Sequence, residues 1–164
     1  MNTMHRYQAI VGTRAFALGV CCSDDEITSI EFLEPQQEQA PTTPLAAEAV
    51  RQLITYLRDP SIEFTLPLRA SGTVFQRRVW EQIAAIPPGK THTYGQLAKN
   101  LKNAPRAVGQ ACGANPFPLV VPCHRVVATG GGLGGFARHG GGFLLDVKRW
   151  LLQHEHRESV RPPG

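Results

Sequence analysis

Proline and glycine punctuation constrains the middle of this 164-residue chain more tightly than any other feature. Pro87-Pro88-Gly89, Pro105 and Asn115-Pro116 confine the residues between them to two short helices. Proline cannot continue a helix, and its missing N–H is harmless only at a helix's first position. Thr93-Tyr94-Gly95-Gln96 fits a capping box, with Thr93 as cap and Gln96 three residues on. Leu97 and Leu101 continue that helix, Lys102-Asn103-Ala104 is a turn, and Pro105 opens a second helix that runs to about Ala114. Two short helices joined in this way predict a helix-turn-helix. The second carries Arg106 at its start, then Ala107, Gly109, Ala111, Gly113 and Ala114. Side chains this small suit either close approach to a nucleic-acid backbone or tight packing on the protein's own core.

The flanking segments are read from periodicity. Phe75, Val79, Ile83 and Ile86 recur at helical spacing, with Trp80 beside them, and Leu144, Val147 and Leu151 mark a last helix near Phe143 to His156. The first third predicts strands at Tyr7–Val11, Ala15–Cys21 and Ile27–Leu33, a helix through Leu45, Ala49, Leu53 and Leu57, and a strand from the alternation of Ile62, Phe64 and Leu66. The expected fold is an α/β N-terminal lobe over residues 1–68 and a mostly α C-terminal lobe with a helix-turn-helix over 69–157. A polar, Pro-rich tail over 158–164 is expected to fray.

Charge divides along the same line. Residues 1–68 carry four Lys/Arg and nine Asp/Glu, whereas residues 69–106 carry seven Lys/Arg against Glu81 alone. That asymmetry points to a polyanion as the partner of the second half. The four cysteines, at 21, 22, 112 and 123, show no framework spacing and read as reduced thiols. There is no apolar run of signal-peptide type at Met1 and none approaching the roughly 20 residues of a membrane span. The expectation is a cytoplasmic protein, nucleoid-associated if bacterial, with no membrane partner.

Chemistry concentrates in Val120-Val121-Pro122-Cys123-His124-Arg125-Val126-Val127. A core strand gains nothing from Pro-Cys-His-Arg. Thiolate, not thiol, is the nucleophile, so a reactive cysteine needs help. His124 is a candidate base and Arg125 a candidate fixed charge. Adjacent side chains on an extended segment point to opposite faces, so a water between Cys123 and His124 is the expected link. Glu155 on the last helix is a candidate to orient the imidazole. The eight glycines between Gly130 and Gly142 include a formal G-x-G-x-x-G at Gly130, Gly132 and Gly135, but no helix opens there, which excludes a dinucleotide site. His154-Glu155-His156 has no third ligand in view, and no metal or cofactor is expected.

Phe75-Gln76-Arg77-Arg78-Val79-Trp80, Thr93-Tyr94-Gly95-Gln96-Leu97-Ala98, Arg106-Ala107-Val108-Gly109, Asn115-Pro116, Pro122-Cys123-His124-Arg125-Val126 and Lys148-Arg149-Trp150-Leu151-Leu152 with His154-Glu155 occur in order. Together they resemble the O6-alkylguanine-DNA alkyltransferases, the methylated-DNA–protein-cysteine methyltransferases, over about residues 70–156. The resemblance implies a ribonuclease-H-like first lobe, a winged-helix-like second lobe and a monomer that binds duplex DNA bearing O6-alkylguanine. It implies that the lesion is flipped out of the stack and that its alkyl group passes irreversibly to Cys123, once per molecule, with O4-alkylthymine as a further candidate substrate. His124, Glu155, Tyr94 and Asn115 would serve that reaction. Arg106, Tyr94, Gln76, Ala107, Gly109, Gln110 and Gly113 would face DNA in the minor groove. Main-chain groups of Cys123, Val126 and Ala137 would read the base, and Arg125 would be structural. Ala137 stands where many members have a hydroxyl residue. Two rivals remain: a lesion binder of the same fold without transfer, and a cysteine hydrolase using Cys123 and His124.

Overall fold

The computed structural model describes residues 6–130, 132–134 and 142–159, the side chains of 157–159 excepted. The fold is mixed α/β and divides into two compact units, Met1–Ala70 and Ser71–Gly164.

In the first unit β1 (Ala9–Gly12), β2 (Ala17–Cys22) and β3 (Ile27–Leu33) form an antiparallel meander in the order β1-β2-β3. Helix α1 (Pro44–Arg58) follows, capped by Thr43, whose Oγ1 accepts from Ala46 N at 3.1 Å. Ala46, Ala49, Leu53 and Tyr56 of α1 are buried, as are Phe16, Leu18, Val20, Ile27 and Ile30. Cys21 and Cys22 straddle an irregularity in the β2–β3 register. Their sulfurs lie against Arg6 O at 3.6 Å and Thr43 Oγ1 at 3.8 Å, respectively.

The strand expected at Ile62, Phe64 and Leu66 does not form. Those three side chains are half-buried between exposed neighbours, so the alternation is real, but the backbone has no ladder partner there. Thr65 N instead donates to Gln52 Oε1 of α1 at 2.9 Å. Pairing with the sheet is limited to a single bridge between Ile27 and Leu68. A side-chain amide satisfies what a neighbouring strand would otherwise have satisfied.

The second unit contains α2 (Val74–Ala84), α3 (Tyr94–Leu101), α4 (Pro105–Gly113) and α5 (Phe143–Ser159). Two short strands, β4 (His92–Thr93) and β5 (Val126–Val127), pair in parallel. Capping boxes open both α2, through Thr73 and Gln76, and α3, through Thr93 and Gln96. Between α3 and α4, Lys102 adopts φ 55° and closes the first helix in the left-handed region. Trp80 Nε1 donates to Ala111 O at 2.9 Å, which ties α2 to α4. The core of this unit includes Val79, Ile83, Leu97, Val108, Val126, Val147 and Leu151.

Candidate active site and nucleic-acid interface

Between α4 and β5 the chain does not run extended. Cys123–Arg125 form a single 3-10 turn, with Arg125 N donating to Pro122 O at 2.9 Å. The alternating-face argument therefore does not apply to Cys123 and His124. Both are buried in the turn, Cys123 at 4% exposure and His124 at 0%.

Asn115, just past α4, reaches this turn. Its Nδ2 donates to Val121 O at 2.9 Å and lies 3.2 Å from Cys123 Sγ, while its Oδ1 accepts from Phe117 N at 2.9 Å. One side chain thus fixes both the approach to the cysteine and the sulfur itself. A hydrogen bond with the Cys112 thiol pushes the Cys123 thiol well above its ordinary value, and burial adds to this; Asn115 and Lys148 pull the other way. That balance favours the thiol over the thiolate, so a reactive Cys123 would need a base.

The candidate base is the next residue in the turn, His124. His124 Nε2 lies 2.7 Å from Glu155 Oε2. An ionised carboxylate only accepts, so Nε2 carries the hydrogen and Nδ1 holds the lone pair. Among the described residues Nδ1 is a buried polar atom with no hydrogen-bond partner. Burial lowers the His124 pKa, against the opposing pull of Glu155. Burial alone would raise the Glu155 carboxyl, but His124 and Arg125 outweigh it and hold it well below the carboxylate range.

Arg125 is not the charge that serves the sulfur. Its Nε donates to Glu155 Oε1 at 2.9 Å, one terminal nitrogen to Oε2 at 2.9 Å, and the other to Ile86 O at 2.7 Å. The cation that favours a Cys123 thiolate is Lys148, a fully buried residue of α5. Its Nζ donates to Val126 O at 2.8 Å and Leu133 O at 2.6 Å. It also lies 5.9 Å from the Tyr94 ring centroid. Burial lowers its pKa from 10.5 to about 8. Sequence reasoning missed Lys148, although a signal existed: it occupies the α5 stripe of Leu144, Val147 and Leu151, a core position for a charged residue.

Tyr94, the first residue of α3, borders the same space. Burial raises its pKa, so the phenol is a proton donor at neutral pH. A Cβ on Gly134 would come within 2.9 Å of the Tyr94 ring, and Gly134 has φ +73°, so only glycine fits there. The Cys123 and Val126 main-chain N–H groups are used internally, by Val121 O and Cys123 O respectively. Carbonyl lone pairs are what these two residues can offer a base. Ala137 lies outside the described residues.

The outer face is built by α2 and α4. Gln76, Arg106, Gly109 and Gln110 line one open groove of about 710 Å³. Arg106 and Gln110 are exposed, and Ala107, Gly109 and Gly113 half-exposed. Gln76 has a second task that sequence reasoning did not assign: its Oε1 accepts from Thr73 N at 2.9 Å in the capping box of α2. The Thr-x-x-Gln spacing at 73–76 repeats that at 93–96 and could have revealed it. A Cβ on Gly109 would meet nothing nearer than Tyr94 at 4.0 Å. Internal crowding therefore does not require glycine at that position. The basic residues Arg77, Arg78, Lys90, Lys99, Lys102 and Arg106 are all exposed. Among the described residues no group of three or more His, Cys, Asp or Glu could hold a metal, and no helix is long and apolar enough to cross a membrane.

Residues 74–157 match the family model described as the 6-O-methylguanine DNA methyltransferase, DNA binding domain. The chain is similar to a methylated-DNA–protein-cysteine methyltransferase of Mycolicibacterium paratuberculosis, 41% identical over 143 residues that cover 83% of this chain and 84% of the relative. A protein of the same name from Methanosarcina acetivorans is 44% identical over 110 residues, 66% of this chain and 67% of that relative. The crystal structure of Mycobacterium tuberculosis OGT in complex with DNA aligns with a TM-score of 0.77 and 33% identity, covering 91% of this chain and 92% of that one.

Proposed function

This chain belongs to the 6-O-methylguanine DNA methyltransferase family, DNA-repair proteins that pass an alkyl group from DNA to one of their own cysteines, and on that premise we propose that Cys123 is the acceptor. The observation that carries the assignment is the buried relay Glu155–His124, which ends on the unpartnered Nδ1 in the same turn as the thiol that Asn115 addresses.

The substrate is O6-alkylguanine in duplex DNA, extruded from the stack so that its alkyl carbon meets Cys123 Sγ. The sulfur–carbon bond forms as the carbon–O6 bond breaks. The thiol proton passes through a water to His124 Nδ1, with Glu155 stabilising the imidazolium that results. Tyr94 donates a proton to a ring nitrogen of the departing guanine and recovers one from the relay, so the products are a thioether and neutral guanine. A thiolate is a poor leaving group from a dialkyl thioether, so each molecule acts once. Asn115 holds the sulfur in line, and carbonyls of Cys123 and Val126 accept from the base edge.

Helix α4 meets the minor groove, where Ala107, Gly109 and Gly113 let its backbone come close. Arg106 fills the vacated stack, and Gln76 and Gln110 face the sugar–phosphate backbone across the groove they line. The same reading extends to a ribonuclease-H-like first lobe, a winged-helix-like second lobe and action as a cytoplasmic monomer. Titrating protein into a duplex with a single O6-methylguanine tests it. Repair should end at one lesion per protein molecule. Continued turnover would indicate a hydrolase, and tight binding without repair a lesion binder.

A further inference from the structure

Arg125 takes no direct part in the transfer, yet all three nitrogens of its guanidinium are held. Its guanidinium spans both oxygens of Glu155 at 2.9 Å and is anchored from behind by Ile86 O at 2.7 Å. His124 shares the carboxylate through Oε2 at 2.7 Å. Arg125, His124 and Glu155 are all buried.

A lone buried carboxylate beside an imidazole would draw a proton onto it and give an ion pair. An imidazolium cannot act as a base. We propose that Arg125 is a positioning residue for alkyl transfer, taking up the charge of Glu155 so that His124 stays neutral, donates from Nε2 and keeps Nδ1 for the proton of Cys123. The proposal rests on the reading of Cys123 as acceptor. The fork of a guanidinium suits this task because it satisfies both carboxylate oxygens and leaves room on Oε2 for the histidine. Burial is the largest influence against the imidazolium, and the charges facing His124 divide by sign. From α5, Glu155 favours its protonated form and Lys148 opposes it; within the turn, Arg125 opposes it too. Cys123 is the neighbouring proton source. Just beyond α2, the Ile86 carbonyl fixes Arg125.

The test compares the wild type, Arg125→Met, Arg125→Lys and the double variant Arg125→Met/Glu155→Gln. Single-turnover methyl transfer from O6-methylguanine duplex is followed against pH, and His124 is titrated by NMR without DNA. In Arg125→Met the acid limb of the rate profile should move up by at least about one pH unit, which slows transfer by at least about tenfold at pH values well below the limb's midpoint. In the double variant an uncharged amide oxygen would accept from Nε2 in place of the Glu155 carboxylate, and the limb should return toward the wild type. Arg125→Lys should keep the limb near its original position, and it serves as the comparison if Arg125→Met does not fold. An unchanged limb in Arg125→Met, or no recovery in the double variant, would overturn the proposal. So would a wild-type His124 already protonated at neutral pH. A wild type that transfers no methyl group would instead remove the assignment of function, which the NMR arm does not require.

Discussion

The Nδ2 of Asn115 lies 3.2 Å from the sulfur of Cys123 and 2.9 Å from the Val121 carbonyl, so one amide just past α4 holds the sulfur and the segment that leads to it. A hydrogen bond to a charged acceptor is worth about 1.5–3 kcal/mol, and this one strengthens as the thiol becomes thiolate. Replacing Asn115 by Ala should slow methyl transfer roughly ten- to a hundredfold. DNA affinity should change little, since Asn115 is not on the groove face of α4. Parallel single-turnover and binding measurements separate the two; equal losses in both would place Asn115 in the scaffold alone.

The Lys148 charge favours the thiolate form of the buried sulfur. Because its pKa is lowered to about 8, the ammonium is present below that value and lost above it. Lys148→Met should therefore slow alkylation of Cys123 by iodoacetamide at neutral pH, by about tenfold for one unit of thiol pKa. The gap to the wild type should close as pH rises past about 8. Peptide mass spectrometry distinguishes Cys123 from the other three cysteines. A gap that persists unchanged at alkaline pH would assign Lys148 a packing role only.

Glu155 sits between two partners and at 1% exposure. Glu155→Gln leaves the Arg125 charge buried without its counterion, and the cost of such a removal is about 3–5 kcal/mol. Denaturant melts at neutral pH give this value directly. The carboxyl is held below its ordinary pKa of 4.5, so its stabilisation is complete above that pH and is lost as pH falls toward the folded-state value. The wild type should lose its advantage over Glu155→Gln below pH 4.5 and keep it above. Parallel melting curves through the acid range would contradict this.

Gly109 separates folding from DNA contact. There is room for a Cβ inside the protein, so Gly109→Ala should stabilise α4 by roughly 0.5–1 kcal/mol. A larger residue such as Gln should leave the melting temperature near that of the wild type and weaken DNA binding by holding the backbone away. Thermal melts and binding isotherms on the same samples provide the check. Lost stability with intact binding would mean that the residue packs inward.

Arg106 is the exposed cation at the start of the α4 face. Arg106→Ala should impair repair in duplex more than transfer from the free base. It should also reduce the slope of log affinity against log salt by about one if the guanidinium meets phosphate, and leave the slope nearly unchanged if it fills the stack. Equal losses on duplex and free base would remove it from the DNA interface.

The helix-turn-helix was legible because its boundaries are written in local chemistry: a cap at Thr93, a box partner at Gln96 and a proline at Pro105 each act within a turn of their own position. Glu155 entered as a candidate on the last helix and through the family resemblance, not through a spacing rule; the structure brings its carboxylate to His124 Nε2 at 2.7 Å. The strand at Ile62–Leu66 was not, because alternation reports burial and cannot say whether a neighbouring strand exists; here Gln52 took the hydrogen bond instead. The β4–β5 pair involves residues 92–93 and 126–127, too few to leave a period and too far apart for local rules. Arg125 does not take the task that its place beside Cys123 suggested, and Lys148, to which the sequence reading gave none, lies where that task falls, for a related reason. Sequence adjacency suggested that Arg125 serves the sulfur, but the tight turn aims it at Glu155, and the serving charge comes from another helix.

The central claim is that Cys123 is consumed by the lesion. The most direct measurement is to incubate the protein with one equivalent of O6-methylguanine duplex, digest it and weigh the cysteine-containing peptides. The account predicts that the peptide with Cys123 gains one CH2, that Cys21, Cys22 and Cys112 gain none, and that Cys123→Ala gains none anywhere. A repaired duplex with an unmodified Cys123, or the methyl group on a different residue, would contradict it.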